Sequence, residues 1–396
     1  MWLDDLRPMR RPTEDGGLSE HAFRPFGIGR ADAGPGEVRD AVAARLPFGQ
    51  LRTFSRLDAA SAPGPGRRVL VVAPIAGGFP FLMRDLVVAL LGIADTVGVT
   101  EWPDARYVPL DAGRFGFAEN CMETAQMARA LGDDGDEAGR QGVHMVGVCQ
   151  GALPAFAAAC LLAEAGEPPA SLSLMGGPID PARNPTRLWR VLQERSLEAL
   201  EAQVIETVSQ ALPGAGRRIF PAWRQVDTFA LYLWRQGLSG GELPLRLAFD
   251  DGDDPLRFPL ARLCWNMMDV DGAFFMENVA TIFRQNAIAR GTLEVGGRPA
   301  RGTALTRTAL LTVEGADDDI SAPTQTEVAH ALCPNLPAGL RRRLTLPGAG
   351  HFSLFYGRKM RSIIIPALAE VMAAGAAAHV AAHAAGDADG GGQPAE

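Results

Sequence analysis

Apolar residues in this chain fall into short unbroken runs joined by stretches with helical spacing. Residues 68–74 read Arg-Val-Leu-Val-Val-Ala-Pro, 143–148 read Val-His-Met-Val-Gly-Val, and 171–175 and 309–315 are of the same kind. A run with no apolar–polar alternation is what a strand looks like when both faces are covered, as in a parallel sheet. Shorter runs predict further strands at 48–54, 97–102 and 344–348. Between them the spacing changes to that of helices, over 80–93, 117–131, 152–165, 323–333 and 358–374. The second carries a stripe of Phe117, Cys121, Ala125, Ala128 and Leu131. Strands alternating with helices predict an α/β chain with a mostly parallel, doubly wound sheet.

The same pattern sets the expected domain limits. Residues 1–45 are rich in Pro, Gly, Arg and Asp and read as a poorly ordered N-terminal segment. The core takes 46–179 and 303–374, with a turn-rich linker at 61–66. Between its halves, residues 180–302 change texture. Helical patterns there carry Trp189, Trp223, Trp234 and Trp265, and an acidic turn interrupts them at 250–254. This insertion reads as a helical cap or lid. Core packing accounts for most of its aromatics, and the rest would line a channel for an apolar substrate. Residues 375–396 are Ala, Gly, His and Asp, a disordered low-complexity tail by composition. His379 and His383 stand four apart there, half of a metal site at most, and a solvated tail explains them.

Composition narrows the function. A formal net charge of −8 over 396 residues argues against a general nucleic-acid binder. The five cysteines form no C-x-x-C pair, which suits a reducing compartment. No run is expected to approach membrane-helix length, and the acidic N-terminus lacks a signal-peptide core. The six histidines show no metal-ligand spacing, so neither a metal nor a cofactor is expected.

The candidate chemistry starts where the 143–148 run ends. Gly147-Val148-Cys149-Gln150-Gly151 followed by an alanine-rich helix is a Gly-x-nucleophile-x-Gly turn, the nucleophile elbow of α/β-hydrolases with cysteine in place of serine. By itself it also fits a buried cysteine between two strand-ending glycines. In the elbow reading, the helix N-terminus lies under Cys149 and the Gln150 N–H faces the reacting oxygen. The loop after 68–74, Ile75-Ala76-Gly77-Gly78, would give the second oxyanion-hole N–H from Ile75 or Ala76. Its plain alternative is a Gly-rich turn into a helix. A histidine, His351, follows the last predicted strand, and Asp317, Asp318 and Asp319 follow the 309–315 strand. Nucleophile, acid and histidine then come in the hydrolase order. His351 would be the general base. Asp318 is the first choice of acid, three residues after Gly315, with Asp319 second and Asp317 third. His144 reads as structural, and His330 as a helix-surface residue.

Further motifs carry a resemblance. Thr100-Glu-Trp-Pro-Asp-Ala-Arg106, Val148-Cys149-Gln150, Leu174-Met-Gly-Gly-Pro-Ile-Asp180 with Asn184-Pro-Thr186, Thr312-Val-Glu-Gly315 with Asp318-Asp-Ile-Ser321, Gln325-Thr326 and Gly350-His351 resemble the intracellular polyhydroxyalkanoate depolymerases over about 46–370. These are α/β-hydrolases, several with a cysteine nucleophile. The resemblance implies a triad of Cys149, Asp318 and His351. It also implies hydrolysis of poly-3-hydroxybutyrate esters to 3-hydroxyacids and oligomers through an acyl-thioester. The expected partner is amorphous polyester at a granule surface in the cytoplasm, with no nucleic acid and no membrane span; a homodimer is compatible. The chain departs from the family pattern at Gly151, where proline is expected, and after Pro74, where a histidine pair is expected. Three rivals stand beside this reading. A polyhydroxyalkanoate synthase shares the triad types, but the tryptophan expected after the acid loop is missing. A small-substrate hydroxyacyl esterase or thioesterase fits the departures. An inactive granule-associated protein would have no need of the three residues together.

Overall fold

The computed structural model describes residues 38–56, 67–75, 81–132, 142–226 and 267–390. In chain order the elements of the first half are β1 (Val38–Arg45), β2 (Gln50–Arg56), β3 (Arg68–Val72), α1 (Phe81–Leu90), β4 (Thr96–Glu101), α2 (Phe117–Gly132), β5 (Val143–Val148), α3 (Ala152–Glu164) and β6 (Ser171–Met175). The inserted region follows, with α4 (Arg187–Gln193), α5 (Leu197–Val204), β7 (Glu206–Thr207), β8 (Arg218–Phe220), β9 (Val270–Asp271), α6 (Gly272–Asn278), β10 (Glu294–Val295) and β11 (Arg298–Pro299). The core resumes with β12 (Ala309–Gly315), α7 (Ala329–Leu332), β13 (Arg341–Leu346) and α8 (Ile365–Gly390).

Eight strands form the central sheet in the order β1-β2-β4-β3-β5-β6-β12-β13. The pairs from β4 through β13 are parallel, and β2 runs antiparallel to both β1 and β4. This order, with one antiparallel strand inside and an elbow after β5, is the α/β-hydrolase fold.

The unbroken apolar runs have the predicted cause. In β3, Leu70 and Val72 face one core with α2 and α3, while Val69 and Val71 face the other with α1 and α8. Both faces are covered, so both sets of alternate positions from Val69 to Val72 are apolar. Helix α3 contributes Ala155, Ala157, Ala158 and Ala159, all fully buried. Small side chains let it lie close to β5.

The structure corrects several expectations. Residues 38–45, placed in a poorly ordered segment, form edge strand β1, while 1–37 lie outside the described residues. The last strand begins at Arg341 rather than 344. Its opening Arg-Arg-Arg is tolerated because β13 is the sheet's other edge, where charge and partial exposure are favourable. His330 is not on the surface. It is buried and bonded to Thr312 Oγ1 and the Arg342 carbonyl, both at 3.1 Å. The cap is not purely helical, since β7, β8 and β9 form a small antiparallel sheet. Trp234, Trp265 and the acidic turn at 250–254 lie outside the described residues.

The largest correction is at the C-terminus, where α8 runs on to Gly390. The stretch His351–Ala382 is, by length and composition, long and apolar enough to cross a membrane, against the expectation that no run would be. Here it packs on the sheet through Leu368, Val371 and Met372, and 44% of its most apolar window is buried. Gly375 lets the helix approach, for a Cβ there would overlap the Ala170 carbonyl oxygen. His379 is buried beside Gly142 rather than solvated, and the His383 side chain lies outside the described residues. Helix propensity favours alanine over glycine by about 1 kcal/mol, but overpacking a rigid backbone contact costs about 1–3 kcal/mol. Gly375→Ala should therefore lower unfolding stability by up to about 2 kcal/mol in urea titration; a gain would mean that this face of α8 does not press on the sheet.

Candidate active site

Three strand ends build the site. Strand β5 ends at Val148, and Cys149 follows with φ +53°, a left-handed conformation that costs a residue with a Cβ. The neighbouring glycines make the turn sterically feasible. A Cβ at Gly147 would lie 2.6 Å from Ala152 Cα and 2.7 Å from Ala155 Cβ. One at Gly151 would overlap the Val72 carbonyl, so the end of β3 abuts the elbow. The chain then passes through one 3₁₀ turn, Cys149–Gly151, into α3.

Strand β12 ends at Gly315 and delivers the acid. A Cβ at Gly315 would overlap the Ala349 carbonyl, and the Asp317 N–H donates to that carbonyl at 3.1 Å. The acid loop and the histidine loop are thus stitched side by side. Asp318 is buried, whereas Asp317 and Asp319 are exposed. Asp318 Oδ1 accepts the backbone N–H groups of Ile320 at 2.9 Å and Ser321 at 2.8 Å. Its other oxygen, Oδ2, lies 2.7 Å from His351 Nδ1. His351 Nε2 lies 3.2 Å from Cys149 Sγ. The imidazole is held edge-on by Phe352 and Phe355, with ring centroids 5.6 and 5.3 Å away. The structure therefore brings Cys149, His351 and Asp318 into one hydrogen-bonded chain and leaves Asp317 and Asp319 outside it.

The electrostatics follow. Burial works against an imidazolium at His351, but the Asp318 carboxylate and the Cys149 sulfur outweigh it and push its pKa up to about 10. The positive ring and the N-terminal end of α3 both face the sulfur. His351 is raised from its ordinary value of 6.5, so its imidazolium contributes fully to folding stability below pH 6.5 and loses that contribution as pH rises through about 10. Ester turnover that needs the imidazolium as a proton donor should follow the same limb. A kcat/KM profile should fall near pH 10, whereas a fall near 6.5 would show that the carboxylate does not hold the charge. His144 has no such part. Burial first, then the Arg67 charge and His379, push its pKa down to about 3, and its Nδ1 lies 2.9 Å from Ser171 Oγ.

Of the oxyanion-hole candidates, Gln150 follows Cys149 and lines the cavity described below. The Ile75 side chain is buried in the core. Its loop leaves from the β3 end beside Gly151, and Ala76 lies outside the described residues.

Several of the sequence motifs set the frame around the triad. The Ala73 N–H donates to Thr100 Oγ1 at 2.9 Å, and Trp102 Nε1 donates to the Ala73 carbonyl at 3.0 Å, which fixes the end of β3. Arg106 bridges Asp104 and Asp269 at 3.1 and 3.2 Å, tying the core to the cap. Glu314 Oε1 accepts the N–H groups of Thr326 and Glu327, both at 2.8 Å. Gly176 has φ +58°, and a Cβ there would lie 3.2 Å from His351 Cε1; this glycine, unassigned in the sequence, makes room for the imidazole.

Cys149 and His351 open into a cavity of about 540 Å³, roofed largely by the insertion. Its wall is apolar, with Leu192, Phe220, Phe274, Phe275 and Phe283 prominent, and Trp223 lies half exposed beside it. Trp223 is among the aromatics that the sequence marks out in the insertion. The phenylalanines are not, because they carry no local signal.

A family model described as PHB de-polymerase C-terminus matches residues 176–376, half of the chain. The chain belongs to that family. The matched region takes in the acid, the histidine and the insertion, while the elbow lies before it. Family membership supports ester hydrolysis. No curated protein matches the chain. Among solved structures, a hydrolase from Pseudomonas aeruginosa is similar at 16% identity, covering 85% of this chain and 98% of its own, with TM-score 0.46. An alpha/beta hydrolase fold protein from Nakamurella multipartita is similar at 17%, covering 86% and 100%, with TM-score 0.42. Carboxyl esterase 2 from the fungus Tuber melanosporum stands at 12%, covering 86% and 85%, with TM-score 0.42. At such scores the fold rests on strand order and elbow, not on these likenesses.

Proposed function

We propose that the protein hydrolyses the ester bonds of an intracellular polyhydroxyalkanoate, such as poly-3-hydroxybutyrate, through a covalent thioester on Cys149. The observation that carries this reading is the Cys149–His351–Asp318 chain, at 3.2 and 2.7 Å, opening into an apolar cavity. The Cys149 thiolate attacks the ester carbonyl, and the Gln150 N–H faces the oxyanion as the tetrahedral intermediate forms. The His351 imidazolium gives its proton to the departing alkoxide, releasing the hydroxyl end of one chain fragment. The other fragment remains as an acyl-thioester. The now neutral imidazole takes a proton from water, hydroxide attacks the thioester carbonyl, and collapse frees the 3-hydroxyacid and regenerates the thiolate–imidazolium pair. Asp318 holds the ring and its charge throughout.

The test incubates purified protein with amorphous polyhydroxybutyrate granules and, separately, with 3-hydroxybutyryl-CoA. Hydroxyacid release from granules supports the proposal. Polymer growth with CoA release would make the protein a synthase, and free hydroxyacid with CoA release a thioesterase. Cleavage of a short-chain ester alone would leave a small-substrate esterase. Silence throughout would leave an inactive granule protein.

A further inference from the structure

Apart from the catalytic pair, Arg224 is the single charged side chain among the described residues lining the cavity. It follows Trp223, and its guanidinium carbon stacks 4.3 Å from the centroid of that ring. Trp223 is 50% exposed, so this pair stands where the cavity meets solvent. The guanidinium also reaches Glu206 Oε1, at 3.3 Å from a carboxylate that is 44% exposed. At 3.3 Å and with Glu206 nearly half exposed, against 28% for Arg224, this pair is screened by water on one side. The indole limits where the guanidinium can go, and its forked N–H groups suit two-point recognition of a carboxylate.

An internal ester unit of a polyester carries no charge, and nothing in it asks for a cation. A chain end does. Every polyester chain and every oligomer ends in one carboxylate. A cation in the wall of the cavity that holds the nucleophile discriminates between an end and an interior. We propose that Arg224 seats the terminal carboxylate, so that cleavage proceeds from the carboxyl end of chains and favours short anionic oligomers. This rests on the ester-hydrolase reading above and adds the substrate's polarity to it.

The test separates the two. Binding is measured by calorimetry on the Cys149→Ala protein, which cannot turn over, with the 3-hydroxybutyrate trimer as free acid and as its methyl ester. The acid should bind about 10-fold more tightly than the methyl ester, the scale of one charge-assisted contact. Arg224→Gln should erase that preference while leaving methyl-ester binding unchanged. Glu206→Gln, which removes one competing carboxylate, should tighten acid binding further. In the otherwise native protein the same preference should appear in KM rather than kcat. Equal binding of acid and methyl ester, or an Arg224→Gln effect that is the same on both, overturns the carboxylate seat. Tight, selective binding of the acid with no turnover by the native protein would keep the seat and sink the hydrolase reading instead.

Discussion

Cys149→Ala is expected to cut ester turnover by about 10⁴-fold or more, since no second nucleophile among the described residues shares the His351 imidazole. The substitution isolates chemistry from folding. Alanine keeps the Cβ, so the cost of φ +53° is unchanged, and the packing at Gly147 and Gly151 does not involve the sulfur. Thermal unfolding should stay within a few degrees of the native protein while initial rates on granules and on a short-chain ester collapse. More than about one part in a hundred of native activity would point to another nucleophile. Cys149→Ser should keep weak activity, because the elbow suits a hydroxyl but a hydroxyl is a weaker nucleophile than a thiol at neutral pH. Intact-mass analysis of a quenched native reaction should show a hydroxyacyl adduct on the protein, and none on the alanine variant.

The second large effect is at Asp318. The variant Asp318→Asn would keep an oxygen for the N–H groups of Ile320 and Ser321, so the loop should hold. Its amide nitrogen would then face His351 Nδ1, where the carboxylate now sits at 2.7 Å. Two donors cannot meet, so the imidazole must place its proton on Nε2, against the sulfur, and cannot accept the thiol proton. The charge that opposes burial and holds the imidazolium is also lost. A fall in kcat/KM of about 10²–10⁴-fold near neutral pH is expected. The alkaline limb should move down from about 10 toward the ordinary imidazole value of 6.5. Asp317→Asn and Asp319→Asn, on exposed side chains, should change the rate by less than about twofold. A larger loss at 319 than at 318 would move the acid by one residue.

The local features are legible in the sequence. The elbow is written in Gly147 and Gly151 because its steric demand falls on residues two positions from Cys149, Gly147 against the start of α3 and Gly151 against the end of β3. Strands β3, β5, β6 and β12 are legible because burial on both faces leaves mostly apolar residues. The order of nucleophile, acid and histidine follows from connectivity alone. What one sequence does not fix is whatever depends on distant neighbours. Three aspartates in a row look alike until Asp317 turns outward and Asp318 is pinned by two N–H groups beneath the histidine. His330 reads as exposed because a short helix does not reveal that it sits over Thr312. The arginines of β13 hide a strand because only the tertiary structure makes it an edge. The alanine-rich C-terminus is compatible by composition with a solvated tail or a helix. Burial of Leu368 and Met372 against the sheet, and the close approach of Gly375 to Ala170 ahead of β6, make it a helix. Sequence determines what is decided by sterics within a turn or by coverage of a strand; choosing among equivalent residues takes the long-range packing that buries one and leaves its neighbours in water.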